Sequence, residues 1–118
     1  MKKILIAEDE KAIAQVLENK LNSSGFSAKV VSNGEEAIKE LINEKYDLVL
    51  LDLMMPKING YGVLDNMKKR NDQTNVVVLS NLGQEEEHQK ALNAGAKDYI
   101  VKSSTKLSDV IKKIESYL

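Results

Sequence analysis

The stretch Asp47-Leu48-Val49-Leu50-Leu51-Asp52-Leu53-Met54-Met55-Pro56-Lys57-Ile58-Asn59-Gly60 decides how this chain folds. Four large apolar residues in a row, set between two aspartates, suit a strand buried on both faces. Such strands sit in the middle of parallel sheets. Pro56 and Asn59-Gly60 then mark a loop. A carboxylate at the tip of a buried strand, here Asp52, needs a partner or a purpose.

Similar apolar runs lie on either side of it. Residues 3–8, 28–32, 47–52, 75–80 and 98–102 read as strands, the second shorter in apolar content and suited to a sheet edge. Helical spacing separates them. Ile13, Val16, Leu17 and Leu21 share one face of a helix over 11–24, which Gly25 closes. After the Asn33-Gly34 turn, Ala37, Ile38, Leu41 and Ile42 mark the second helix; Val63, Leu64 and Met67 mark the third. The fourth, over 84–94, ends at Gly95 and has only Leu92, Ala91 and Ala94 as apolar anchors, so low local stability is expected there. Val110, Ile111 and Ile114 define the fifth, with Ser104 or Thr105 as its N-cap. Strands alternating with helices imply an α/β fold. The expectation is a doubly wound, five-stranded parallel sheet of order 2-1-3-4-5, flavodoxin-like, with helices on both faces. Residues 1–118 read as one domain, without repeat or linker.

Bulk composition excludes several functions. At 42% hydrophobic and 30% charged residues the chain is too apolar for disorder, yet no apolar run is long enough to span a membrane. The absence of cysteine rules out thiolate metal sites and disulfides and fits a cytoplasmic location. A net charge of −1 argues against direct nucleic-acid binding by this domain.

The polar residues that end the strands carry the chemistry. Glu8 and Asp9 leave the first strand, Asp52 the third, Ser80 the fourth and Lys102 the fifth. In doubly wound sheets these carboxyl ends share one rim. Singly, an acid there is commonly a helix cap, a serine a turn residue and a lysine surface charge. Together, three carboxylates, a hydroxyl and an ammonium form a set suited to metal-assisted phosphoryl transfer. Oxygen-only ligands favour Mg²⁺, with Mn²⁺ able to substitute. Asp52 can act as the nucleophile, forming an acyl phosphate.

At these residues the chain resembles the receiver domains of two-component response regulators, chemotaxis-regulator-like, over essentially its whole length. The matching stretches are 4–10 (ILIAEDE), 47–60 (DLVLLDLMMPKING), 76–80 (VVVLS) and 94–102 (AGAKDYIVK). The resemblance implies a phosphorylation-controlled switch rather than an enzyme. Asp52 would accept a phosphoryl group from a histidine kinase or phosphotransfer protein and later lose it by slow self-hydrolysis. Glu8, Asp9, Asp52 and the Met54 carbonyl would hold Mg²⁺. Lys102 would grip the phosphoryl group, Ser80 would move to bond it, and Tyr99 would turn inward behind it. The fourth helix, fifth strand and fifth helix would face a downstream protein or effector domain, as a monomer or a phosphorylation-dependent dimer.

Three positions depart from the family pattern. Ser103 stands where a proline usually follows the lysine. A cis bond before a non-proline costs about 2.5–4 kcal/mol, so a trans Lys102–Ser103 bond and a rearranged loop are expected. Asn81 replaces a very small residue beside the phosphoryl path and is expected to alter the phosphorylation or dephosphorylation rate. Gly62, early in the third helix, should loosen that turn by about 1 kcal/mol relative to Ala. His88, the only histidine, reads as a solvated side chain on a polar helix, and Lys68-Lys69-Arg70 as the solvated end of the third helix. Met55 reads as packing. Three rival functions fit less well. An aspartate-nucleophile phosphatase would want an acid at Met54. A flavodoxin-like FMN binder would not place Glu8-Asp9-Glu10 at its phosphate loop. A phosphorylation-independent pseudo-receiver would have no need of the intact acid–serine–lysine set.

Overall fold

The computed structural model describes residues 1–118. Five strands, β1 (Lys3–Ala7), β2 (Ser27–Val31), β3 (Leu48–Leu51), β4 (Asn75–Ser80) and β5 (Asp98–Val101), alternate with five α-helices. These are α1 (Lys11–Ser23), α2 (Gly34–Asn43), α3 (Gly60–Lys69), α4 (Glu85–Asn93) and α5 (Leu107–Ser116). All strand pairs are parallel and the order is β2-β1-β3-β4-β5, as the sequence predicts. Leu51 pairs with Ala7 and with Val78. Glu8 and Asp52 are therefore the first residues past aligned strand ends.

Strand β3 is buried at every position. Its period of two sends Leu48 and Leu50 to one face, Val49 and Leu51 to the other. The first pair joins Ile4, Ile6, Val77, Leu79 and Ile100 under Leu17 and Leu21 of α1 and Val110, Ile111 and Ile114 of α5. The second joins Leu5 and Val76 under Ala37 and Leu41 of α2 and Val63, Leu64 and Met67 of α3. A smaller cluster of Leu53, Val78, Ala91, Ala96 and Tyr99 underlies α4. Met55 packs in the core, as expected. Val16 and Ile42, assigned by spacing to buried helix faces, are 52% and 58% exposed. Ala14 takes the place expected of Val16, because the α1 stripe turns toward β1 and β2.

Most termini follow local chemistry. Asn33 caps α2 through a bond from the Glu36 amide at 2.9 Å, and Asn59 caps α3 through the Gly62 amide at 3.0 Å. Gly25 and Gly95 take the left-handed backbone (φ 94° and 115°) that ends α1 and α4. The cap of α5 is not as expected. Lys102–Ser104 winds into a 3-10 turn, so Ser104 and Thr105 are spent before the helix and Lys106 holds the N-cap position without a side-chain bond. No peptide bond is cis, so Lys102–Ser103 is trans. Gly62 also differs from its sequence reading. A Cβ there would meet Ile58 Cγ2 at 2.5 Å, so this glycine permits the Pro56–Asn59 loop to lie close against α3.

Helix α4 is fastened differently from the rest. Ala91 is its only buried residue and Leu92 is 38% exposed. Polar and aromatic contacts hold it instead. The Tyr61 hydroxyl of α3 donates to Glu87, while Lys90 Nζ sits 4.4 Å from the Tyr61 ring centroid. His88 is not simply solvated. Its ring packs edge-on against Tyr99 at 4.4 Å, and Nε2 lies 3.3 Å from the Tyr99 carbonyl oxygen. Replacing Tyr61 by Phe keeps the ring beneath Lys90 and removes the bond to Glu87. Amide hydrogen exchange in α4 should quicken while that of β1, β3 and β4 is unchanged, with a local cost of about 1 kcal/mol. Gly62→Ala should not raise the urea midpoint, although helix propensity alone favours Ala by about 1 kcal/mol.

Candidate functional site

The aligned ends of β1 and β3 bring two buried acids together. Glu8 is 3% exposed and Asp52 4%. Their main chains continue the sheet for one residue: the Glu8 amide donates to Val31 O and the Asp52 amide to Ala7 O, both at 3.0 Å. Asp9 follows on the solvent side. One carboxylate oxygen from each of Glu8, Asp9 and Asp52 can be chosen so that all lie within 4.8 Å of one another. At that spacing each like-charged pair repels by roughly 1 to 3 kcal/mol for effective dielectrics of 80 down to 20.

Lys102, carried from the end of β5 into the 3-10 turn, answers part of this charge. Its side chain is 8% exposed, and Nζ stands 3.1 Å from Asp52 Oδ2, against Glu8 Oε1, and 3.6 Å from Glu10 Oε1. Asp52 Oδ1 accepts from the Met54 amide at 3.2 Å, and Glu8 Oε2 from the Glu10 amide at 3.1 Å. Glu8 Oε1 lies against the Lys102 ammonium. Burial pushes the Glu8 carboxyl up to about 7 and the Asp52 charge adds to this, while Lys102 and the Glu10 amide oppose it. For Lys102, burial favours the neutral amine, but Glu8 and Asp52 outweigh it and hold its pKa above the ordinary value.

A cavity of about 650 Å³ opens over these groups, lined among others by Asp9, Glu10, Asp52, Asn81 and Lys102. Its donor set of three clustered carboxylates, oxygen ligands only, fits a hard divalent cation. Met54 is 63% exposed at the rim, with its amide turned to Asp52. Ser80 and Tyr99 are placed differently. Ser80 is fully buried behind the cavity and its Oγ accepts from the Leu82 amide at 3.3 Å. The Tyr99 hydroxyl donates to the Leu82 carbonyl. Both side chains thus engage the backbone of the β4–α4 loop rather than Asp52. Burial raises the Tyr99 hydroxyl pKa, Glu87 and Asp52 adding to it and Ser80 opposing.

The sequence does not single out Glu10 as a site residue, although its carboxylate comes within 3.6 Å of the lysine. Nor does it single out Tyr61, and it presents His88 as solvated. The signal for Glu10 was its position two residues beyond Glu8, where α1 begins. For Tyr61 and His88 no sequence pattern pairs them with their partners.

Comparison with known proteins bears directly on this arrangement. Residues 4–115 match the response regulator receiver domain model. Among curated relatives, the probable transcriptional regulator ycf27 of Guillardia theta is 40% identical over 85% of this chain, which covers 39% of that protein. The transcriptional regulatory protein DltR of Streptococcus agalactiae is 34% identical over 85% of this chain, covering 45% of that protein. The chain thus spans under half the length of these relatives. Among solved structures, the Francisella response regulator 1452 receiver domain superposes with a TM-score of 0.94 at 31% identity, covering 99% of this chain and 96% of that one. The response regulator TrrA of Thermotoga maritima, solved in complex with Mg²⁺–BeF, gives a TM-score of 0.88 at 30% identity over the full length of both chains. With a matching family model across nearly its whole length and the acid–lysine rim of β1, β3 and β5 in place, this chain belongs to the response regulator receiver domain family.

Proposed function

We propose that this receiver domain, residues 1–118, is a phosphorylation-controlled signalling switch in which Asp52 accepts a phosphoryl group. The observation that carries the reading is Lys102 Nζ at 3.1 Å from Asp52 Oδ2, inside a carboxylate cluster open to a cavity. The donor is a phosphohistidine of a histidine kinase or phosphotransfer protein. An Asp52 oxygen attacks phosphorus, a P–O bond forms, the P–N bond breaks, and the imidazole departs with its electron pair. Mg²⁺, or Mn²⁺ in its place, held by Glu8, Asp9, Asp52 and the Met54 carbonyl, supplies charge neutralisation when bound. Lys102 neutralises another phosphoryl oxygen. Ser80 leaves the Leu82 amide to bond a third, and Tyr99, expected to turn inward and already buried here with its hydroxyl on the Leu82 carbonyl, fills the space behind it. Asn81, on the cavity wall, sets the access of donor or water and so the rate.

The chain's own residues favour a switch over a turnover enzyme. A phosphatase using Asp52 would need an acid two residues on, and Met54 occupies that place. Output runs through the α4–β5–α5 face, where α4 is held by few apolar contacts. The partner there is a downstream protein or an effector domain, in keeping with relatives that are longer and named as transcriptional regulators. The domain itself makes no direct contact with nucleic acid, works in the cytoplasm, and is a monomer or a dimer formed on phosphorylation. No helix is long and apolar enough to cross a membrane.

Incubation with acetyl phosphate and Mg²⁺ should add one phosphate by intact mass to the wild type and none to Asp52→Ala. An adduct on both proteins, or on neither, rejects the assignment. Cation affinity should also depend on pH with a definite sign. Folded Glu8 keeps its proton up to about 7 instead of 4.5, so the proton competes with the cation below that point. Mg²⁺ affinity should rise as pH climbs from 4.5 to 7 and level off above. Over the same window the metal-free protein should lose stability, because its folded state binds more protons than the unfolded chain. Glu8→Gln should flatten both trends, by titration calorimetry and urea unfolding.

A further inference from the structure

We infer that Glu10 is a positioning residue for Lys102, its carboxylate standing where a phosphoryl oxygen will later bind. The inference rests on the phosphoryl-accepting role of Asp52 proposed above and concerns how the same site is held before the reaction. Glu10 is the N-cap residue of α1, yet its side chain makes no capping bond. Ser, Thr, Asp and Asn at this position turn back onto the first helical amides; a glutamate is not of that type and is free to reach elsewhere. This one reaches outward, to 3.6 Å from Lys102 Nζ. Its amide meanwhile fixes Glu8 Oε2 at 3.1 Å. One residue thus holds Glu8 by its main chain and faces Lys102 with its side chain.

An ammonium has three N–H donors and no acceptor. Around Nζ stand three carboxylate partners: Glu8, Asp52 and Glu10. Glu8 and Asp52 lie inward, with side chains 2% and 5% exposed. Glu10 is the outer partner, 54% exposed on the cavity side and the most distant of the three. A phosphoryl oxygen arriving on Asp52 comes from that cavity, on the side of Nζ where Glu10 stands in ion-pair range without a hydrogen bond. The Glu10 carboxylate is then displaced into solvent, where its charge is rehydrated at little cost. Before phosphorylation it draws the ammonium toward the cavity; during phosphorylation its charge competes with the phosphoryl oxygen for that ammonium. No other side chain from the turn after β5 holds the lysine, since Ser104 Oγ faces Val101 O.

The competition is that of a partly exposed ion pair, so relieving it should speed phosphorylation roughly 1.5- to 5-fold. The test is the initial rate of phosphate incorporation from acetyl phosphate with Mg²⁺, by intact mass, for wild type, Glu10→Gln and Glu10→Asp, each also with Lys102→Gln. Urea midpoints verify that every variant is folded. Asp keeps the charge at the cavity mouth but is one methylene too short to hold Nζ. Both Glu10 variants should react faster than wild type, and the gain should vanish with Lys102→Gln. If Glu10→Asp matches wild type while Glu10→Gln is faster, the effect is the long-range field of an acid and the inference fails. Equal rates for all three, or a gain that survives Lys102→Gln, also overturn it. A wild type that takes up no phosphate removes the phosphoacceptor reading itself, and this one with it.

Discussion

The parallel pairing of β1 with β3 is the constraint on which the rest depends. Residues Ile4–Ala7 and Leu48–Leu51 are buried on both faces, so neither run carries a polar side chain before its end. The register Ala7 to Leu51 makes the two ends coincide. Glu8 and Asp52 are thereby forced into proximity at the first point where the sheet allows charge. The repulsion this creates is the organising field of the rim. Lys102 is drawn in from β5 to offset it, and a divalent cation is the further partner such a cluster accommodates. A one-residue slip of β3 would bury Asp52 within the sheet and turn Leu51 and Val49 to the opposite layer. Fold and site therefore share one register.

Much of this was legible in the sequence because it rests on patterns that survive without tertiary information. The apolar run Leu48–Leu51 identifies a central strand, Gly25 and Gly95 identify helix ends, and the polar residues after each run identify the rim. What was not legible depends on distances across the chain. Val16 lies on the predicted apolar face of α1, but whether it is covered depends on how α1 is rotated over the sheet. Ser104 and Thr105 have the right chemistry for an N-cap, yet Ser104 lies in the 3-10 turn that carries Lys102 and Thr105 closes it, so neither reaches the helix start. Gly62 looks like a propensity defect until Ile58 is placed against it. His88 looks solvated in a run of glutamates, and only the approach of β5 gives its ring a partner.

The site residues divide in the same way. Glu8, Asp9, Asp52 and Lys102 are found together because strand ends converge by topology. Ser80 and Tyr99 share the region without touching the acid cluster, each bonded to the backbone at Leu82. The β4–α4 loop, including Asn81, is thus pinned from two sides by the two side chains on which the proposed switch relies. Glu10 is not legible as a partner of Lys102 because an acid at a helix start already has an ordinary explanation in the field of the helix N-terminus.

The fastening of α4 has a thermal consequence. Apolar area exposed on unfolding gives the large positive heat capacity that bends a stability curve into a dome. The two main core layers will show that curvature. Helix α4 buries one alanine and is otherwise tied by a tyrosine hydroxyl, an ammonium over a ring and an imidazole edge. Its detachment uncovers Ala91 and part of the small cluster beneath it, less apolar area than either main layer holds, so the free energy of that local opening should bend less with temperature. Cooling that weakens the core's hydrophobic hold would weaken the helix's attachment less, and the ratio of local to global opening in this domain would itself change with temperature.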